Sequence, residues 1–292
     1  VYGSGDDRES LAAVRQAMDM GVNFFDTADA YGCGHSERIL CQAIGSHRDE
    51  VVIATKFGNV IDEEKRRILG EDASPDYIRR ACEASLRRLG TDRIDLYQFH
   101  LHDYDLEKAL EVRHTLEDLV AEGKILWYGW SLANGQVEQA RLFAQGEHCT
   151  AIQHTMHLFV DEEPILEVCD RYNLASINQG PLGRGLLTGK FDAETQFAEN
   201  DMRHRWGWDF SQGPLAERLQ LLERIKQVLT ADGRTLAQGA LGWVWARHPR
   251  TVPIPGFKNL QQVEENAAAL RYGPLSAEQM QAIDHLLQRN AE

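Results

Sequence analysis

The sequence predicts an α/β fold, a (β/α)8 TIM barrel whose first strand lies upstream of Val1 and is absent from this chain. Three observations predict it. Short apolar runs alternate with amphipathic helical patterns along nearly the whole chain, which implies βα units on a parallel sheet. The length of 292 residues suits a barrel, which often uses about 250 residues as one domain. Polar residues close successive strands, as they would around a crevice at one mouth of a barrel, where such folds keep their active sites.

The elements follow in order. Arg8 to Met20 is a helix with Leu11, Val14, Ala17 and Met18 on one face and Gly21 as its stop. A strand Val22–Asp26, a helix Ser36–Ile44 and a strand Val51–Lys56 come next. Ser74 and Pro75 open a helix as N-cap and first-turn proline, and Gly90 ends it. The strand Ile94–His100, a helix to Glu122 and the strand Ile125–Trp130 follow. A helix near Gln136–Ala144, the strand Thr150–His154, a helix near Pro164–Tyr172 and the strand Leu174–Asn178 continue the rhythm.

The stretch from Gln179 to Pro214 breaks it, with many glycines and with Trp206, Trp208 and Phe210 close together. A connection this long inside a domain is usually functional, and a loop at this end would help wall a pocket. Helices Leu215–Leu229 and Thr235–Arg247, the strand Thr251–Ile254, the helix Asn259–Leu270 and a last helix opened by a Ser276/Gln279 capping box complete the chain. The count reaches about seven strands where a closed barrel has about eight. A first strand preceding Val1 accounts for the difference, with Val1–Asp7 as a loop and an opening expected between Val22–Asp26 and Thr251–Ile254. No internal boundary is visible, so residues 1–292 read as one domain.

The formal charge of −14 repels phosphate backbones and anionic lipid, which argues against nucleic-acid and membrane partners. Five cysteines, an odd number with no CxxC pair, read as reduced thiols of a cytoplasmic protein. No apolar run approaches the roughly 18 residues that cross a bilayer. His154, His157 and Cys149 do not make a convincing metal set, so no metal is expected. Cys33, two residues from Tyr31, is a redox candidate.

The strand ends carry the chemistry. Asp26, Lys56 and His100 close the first three strands, and Ser131, Gln153 and Gln179 close later ones. Asn23-Phe24-Phe25-Asp26-Thr27-Ala28-Asp29-Ala30-Tyr31-Gly32 with Ser36-Glu37, Ala54-Thr55-Lys56-Phe57-Gly58, Tyr97-Gln98-Phe99-His100, the run from Pro181 to Lys190, and Pro253-Ile254-Pro255-Gly256 stand in barrel-like order. Together they resemble the aldo-keto reductase family over essentially the entire chain.

The resemblance implies a catalytic tetrad of Asp26, Tyr31, Lys56 and His100. Its logic is self-consistent. Carbonyl reduction needs hydride at carbon and a proton at oxygen, where negative charge develops. A hydroxyl at that oxygen acts as general acid and stabilises the charge. A free phenol holds its proton tightly at neutral pH, and an ammonium beside it favours the phenolate. Asp26 would hold Lys56 charged and aimed, and His100 would orient the carbonyl. Taken singly, each has a plainer reading: Tyr31 as packing, Asp26–Lys56 as a structural ion pair, His100 as a core histidine.

No Rossmann fingerprint is present, since Gly183 to Gly189 lacks the GxGxxG spacing and opens no βαβ unit. The resemblance implies NADPH lying extended across the barrel mouth. Ser131 and Gln153 would meet the nicotinamide carboxamide, with Gln179 where an aromatic residue commonly stacks and Leu132 where the family usually has Asn. Gly180, Pro181, Leu182, Gly183 and Lys190 would follow the pyrophosphate. Gly256 and Lys258 stand before a helix N-terminus, a place that favours phosphate, and suit the 2′-phosphate. Gln262 lies one turn on, and Glu265 and Asn266 match the family's adenine contacts.

The activity implied is NADPH-dependent reduction of small aldehydes or ketones to alcohols, with the proton from Tyr31. The alternative is an NADPH-binding regulatory subunit resembling potassium-channel β subunits, with little turnover. A degenerate structural barrel fits less well, because four chemical groups are retained.

Overall fold

The computed structural model describes residues 6–288. It divides into two compact units, one of residues 10–155 with 162–177, the other of residues 156–161 and 178–288 with the stretch before Ser10.

The first unit contains the helix α1 (Asp7–Asp19) for most of its length, then β1 (Phe24–Asp26), α2 (His35–Ile44) and β2 (Val52–Phe57). A hairpin of β3 (Asn59–Asp62) and β4 (Arg67–Glu71) follows, then α3 (Pro75–Leu89), β5 (Ile94–Phe99), α4 (Leu106–Ala121), β6 (Ile125–Ser131), α5 (Val137–Ala144), β7 (Cys149–Thr155) and α6 (Glu163–Arg171). The strand β8 (Ala175–Gln179) closes the series. In the sheet the order is β1-β2-β5-β6-β7-β8, and the pairs from β1–β2 to β6–β7 are parallel. Strand–helix–strand steps along a sheet laid down in chain order are the winding expected of a barrel.

Strands of a parallel sheet are buried on both faces and read as near-continuous apolar runs. Tyr97, Phe99, Trp130 and Ile152 are fully buried accordingly. Phe99 stacks on Phe57 and tilts against Trp130, at centroid distances of 5.4 and 5.1 Å. The strand β1 has one neighbour, β2, so its other edge carries no strand among the described residues. The expected loop at Val1–Asp7 lies outside them through Gly5, and Asp7 already begins α1.

The helix ends follow local chemistry. Ser74 accepts from the Tyr77 N–H at 3.3 Å with Pro75 in the first turn. Gly90 takes the left-handed conformation that ends α3, at φ 62°, and a side chain there would meet the Cys41 sulfur. The hairpin β3–β4 is an element the sequence reading passed over. Its β4 strand is exposed at every position, so it shows none of the in–out alternation that marks a half-buried strand.

The second unit holds α7 (Met202–Arg205), α8 (Gly213–Leu229), α9 (Leu236–Arg247), β9 (Thr251–Ile254), α10 (Leu260–Ala268) and α11 (Ala277–Leu287). Capping boxes open both α9, at Thr235/Gln238, and α11, at Ser276/Gln279. The aromatic cluster of the long connection splits in role. Phe210 is buried and stacks on Phe191 at 5.2 Å, whereas Trp206 is exposed and carries the Arg184 guanidinium over its ring at 4.2 Å. No helix among the described residues is long and apolar enough to cross a membrane.

Candidate active site

The end of β1 and the loop after it deliver the first two residues. Thr27 N–H donates to the Ala54 carbonyl at 2.8 Å and Asp29 N–H to the Lys56 carbonyl at 3.3 Å, so the loop leaves β1 tied to β2. It then closes on itself, Gly34 N–H donating to the Asp29 carbonyl at 2.6 Å. Gly34 has φ 83°, and a Cβ there would stand 2.6 Å from the Arg88 Cδ. The chain can turn there only with glycine. These constraints present Tyr31 at the surface, 44% exposed.

A buried polar cluster underlies the loop. Glu37 of α2, fully buried, accepts from Thr55 Oγ1 at 2.7 Å and from Arg88 Nε at 2.5 Å. Arg88 also donates to Glu63 and Ser85. Asp29, 1% exposed, lies within the electrostatic reach of this pair, and its Oδ1 has no hydrogen-bond partner among the described residues. Burial, and then the Glu37 carboxylate, push the Asp29 carboxyl up to about 8. Asp29 is therefore a neutral acid at neutral pH. Cys33 is also buried, and burial followed by the nearby Asp62, Asp29 and Glu63 pushes its thiol up. That environment disfavours a reactive thiolate.

The four tetrad candidates meet within the first unit. Lys56, fully buried, donates to Asp26 Oδ1 and to the Thr27 carbonyl at 2.8 Å. Its Nζ lies 5.1 Å from the Tyr31 ring centre. Burial alone would pull the ammonium down, but Asp26 and then the Tyr31 oxygen outweigh it, and Lys56 is held above its ordinary range. The Tyr31 and His100 rings make an edge contact at 5.9 Å.

His100 is pulled down to about 3 by burial, then by the Lys56 charge, then by His102. It is therefore a neutral imidazole with one N–H to donate. Its buried Nδ1 has no hydrogen-bond partner among the described residues. A buried polar atom left without a partner is costly, and a site that a ligand completes accounts for it.

Behind the tetrad runs a second row of buried polar groups. Gln98 and Gln153 each donate Nε2 to Asp26 Oδ2, at 3.1 and 2.8 Å. Ser131 Oγ donates to Gln153 Oε1 at 3.2 Å. The structure thus brings Ser131 and Gln153 together and ties Gln153 to Asp26. Gln98 was quoted in a motif but assigned no role. Its signal was available: an amide two residues before His100 inside a largely apolar strand, where an apolar side chain would be the default. Leu132 is buried and apolar, its N–H donating to the Gln153 carbonyl at 2.8 Å.

In the second unit the chain from Gln179 to Lys190 turns through left-handed positions at Gly180, Gly183 and Gly185, followed by Gly189. Gly183–Thr188 forms a short 3-10 stretch, flanked by Pro181, Leu182 and Lys190. The Gln179 carbonyl accepts from the Met156 N–H at 3.4 Å. Lys258 precedes α10, its N–H donating to Gln262 Oε1 at 2.7 Å, while Asn259 caps the helix through the Gln262 N–H. Asn266 Nδ2 donates back to the Gly256 carbonyl at 3.4 Å. The Glu265 carbonyl, one turn along α10, accepts from Gln238.

Lys190 is pulled down by burial, then by the charges of Arg203 and Lys258, and Lys258 by burial, then by Arg203. Three cations thus share one neighbourhood, and Asp201, ion-paired to Arg203 at 2.6 Å, supplies negative charge there. A phosphate-bearing ligand fits such a group. Arg203 lies in the irregular connection, 55 residues before Lys258, where no motif marks it.

A βα-wound chain carrying Asp26, Lys56 and His100 at its strand ends, with Tyr31 in the loop after β1, belongs to the class of barrel oxidoreductases that act on carbonyl or hydroxyl groups. The comparisons identify which one. The profile of the Aldo/keto reductase family matches residues 2–288, and the chain belongs to that family. It is 30% identical over 280 residues to the aldo-keto reductase yakc [NADP(+)] of Schizosaccharomyces pombe, covering 93% of this chain and 80% of that protein. The solved glycerol dehydrogenase AKR11B4 from Gluconobacter oxydans superposes with a TM-score of 0.85 at 31% identity, over 99% of this chain and 88% of that one. An aldo/keto reductase from Klebsiella pneumoniae in complex with NADP and acetate superposes with a TM-score of 0.73 at 31% identity, over 96% and 85%. The fold class is accordingly the (β/α)8 barrel.

Proposed function

We propose that the chain is an NADPH-dependent reductase of small aldehydes or ketones, with Tyr31 as proton donor. The Aldo/keto reductase profile runs through both compact units, which favours reading the chain as a single functional domain. The single observation carrying the catalytic assignment is the convergence of Lys56, buried and ion-paired to Asp26, on Tyr31 beside a neutral His100.

The residues divide the work. His100 donates a hydrogen bond to the substrate oxygen and aims the carbonyl. Tyr31 gives its hydroxyl proton to the same oxygen as charge develops there. Lys56, kept charged by Asp26, favours the resulting phenolate. NADPH, when bound, supplies the hydride. Ser131 and Gln153 would hold its carboxamide, and Gln179 would lie beside the nicotinamide ring. Gly180, Pro181, Leu182, Gly183, Lys190 and Arg203 would hold the pyrophosphate. Gly256 and Lys258 would take the 2′-phosphate, with Gln262, Glu265 and Asn266 toward the adenine. The cationic group of Lys190, Arg203 and Lys258 supports the fit to an anionic dinucleotide in a chain of net charge −14.

The test is Tyr31→Phe, which removes one oxygen. Loss of a general acid costs roughly 10²–10⁴ in rate, while NADPH affinity should be retained. Wild-type kcat in this variant would refute the assignment. The other reading, a cofactor-binding regulatory subunit, predicts that the unaltered protein holds NADPH yet barely oxidises it with a reactive aldehyde such as 4-nitrobenzaldehyde.

A further inference from the structure

The Asp26 carboxyl has little contact with water, its side chain 9% exposed, and is ion-paired to Lys56. One oxygen, Oδ1, faces Lys56. The other, Oδ2, needs donors of its own, because a buried charge must be paired and hydrogen-bonded. Gln98 and Gln153 meet that need. The two amides differ in their other commitments. Gln153 is also bound by Ser131, and the proposed function assigns this pair to the nicotinamide carboxamide. Gln98's only other bond stays inside this group, its amide oxygen accepting from Gln153 Nε2 at 3.5 Å. It lies on β5, aligned with Lys56 on β2, and is fully buried.

We infer that Gln98 is a positioning residue for the reaction, one that fixes the Asp26 carboxylate through Oδ2 so that Oδ1 keeps Lys56 aimed at Tyr31 while Gln153 engages the cofactor. This inference rests on the tetrad reading. Gln98 touches neither substrate nor cofactor in it and acts through Asp26. The donated hydrogen bond draws negative charge toward Oδ2. Without it, more of that charge sits on the side facing Lys56, and the ammonium's field at Tyr31 weakens. Tyr31 then gives up its proton less readily and stays protonated to higher pH. The titratable groups around this point are Lys56 and Tyr31, His100 at the end of the Gln98 strand, and Asp29 in the loop beyond β1.

The experiment compares Gln98→Met, which removes the donor at nearly constant volume, with Gln98→Glu, which puts a second carboxylate beside Asp26. For each, kcat and KM are measured across pH, with NADPH affinity and thermal midpoint measured separately. A hydrogen bond to a charged group predicts a fall in kcat of about tenfold for Gln98→Met, with NADPH affinity held within about twofold. The alkaline limb of the kcat profile should move to higher pH, further for Gln98→Glu than for Gln98→Met. If Gln98→Met does not fold, Gln98→Glu carries the same test through its pH limb. Unchanged kcat overturns the inference. So does a fall in kcat with an unmoved limb, which would mark Gln98 as packing only. Tyr31→Phe separates the two readings: if it keeps wild-type kcat the tetrad itself fails, whereas an inactive Tyr31→Phe with an unaffected Gln98→Met rejects Gln98 alone.

Discussion

Asp29 offers a test of how the loop carrying Tyr31 is held. Its carboxyl is buried beside Glu37, with Arg88 and Lys56 only partly offsetting the cost of charging it. A folded-state value of about 8, against an ordinary 3.8, means the folded protein binds the proton more tightly than the unfolded chain. Stability from this group is full below about pH 4 and is lost as pH rises toward 8. Each unit of difference corresponds to about 1.4 kcal/mol. The penalty therefore grows from roughly 2 kcal/mol at pH 5.5 to roughly 4 at pH 7, and levels near 6 above pH 8. Asp29→Asn copies the neutral acid in shape and cannot ionise. The variant should be more stable than the parent, and the gain should be larger at pH 8.5 than at pH 5.5 by on the order of 3 kcal/mol. Urea unfolding at the two pH values reads this directly, provided the slope with denaturant is unchanged. An equal gain at both pH values, or a variant less stable at pH 8.5 than its parent, would refute the reasoning.

Two further outcomes are expected beside those for Tyr31 and Gln98. Lys258→Ala should weaken NADPH by about tenfold or more and leave NADH nearly untouched, as measured by fluorescence titration, because only NADPH carries the 2′-phosphate; equal weakening of both rejects the assignment. The His100 ring, held at about 3 against 6.5, should show no titration between pH 5 and 8 by NMR. Because the unfolded chain binds that proton first, this group's stabilising contribution is full above about pH 6.5 and is lost as pH falls toward 3.

Much of the fold was legible because it is local. Helix faces, caps and stops depend on residues a turn apart, so Ser74-Pro75, Gly90 and the Ser276/Gln279 box could be placed from the sequence. The strands were placed to within two residues because burial on both faces leaves an apolar run. The hairpin Asn59–Glu71 left no such trace, since its second strand is exposed throughout.

The sequence by itself determined which chemical groups stand at the strand ends: Asp26, Lys56, His100, Ser131 and Gln153. A strand end is a position along the chain, and a motif of neighbouring residues marks it. Only the tertiary structure decided what those groups do to one another. Asp26 meets Gln98 across 72 residues and Gln153 across 127, and no periodicity encodes such a meeting. The charge states belong to the same level. Burial and neighbours from other elements make Asp29 a neutral acid and His100 a neutral imidazole. Desolvation and Coulomb forces act through space, and a one-dimensional pattern carries no record of them.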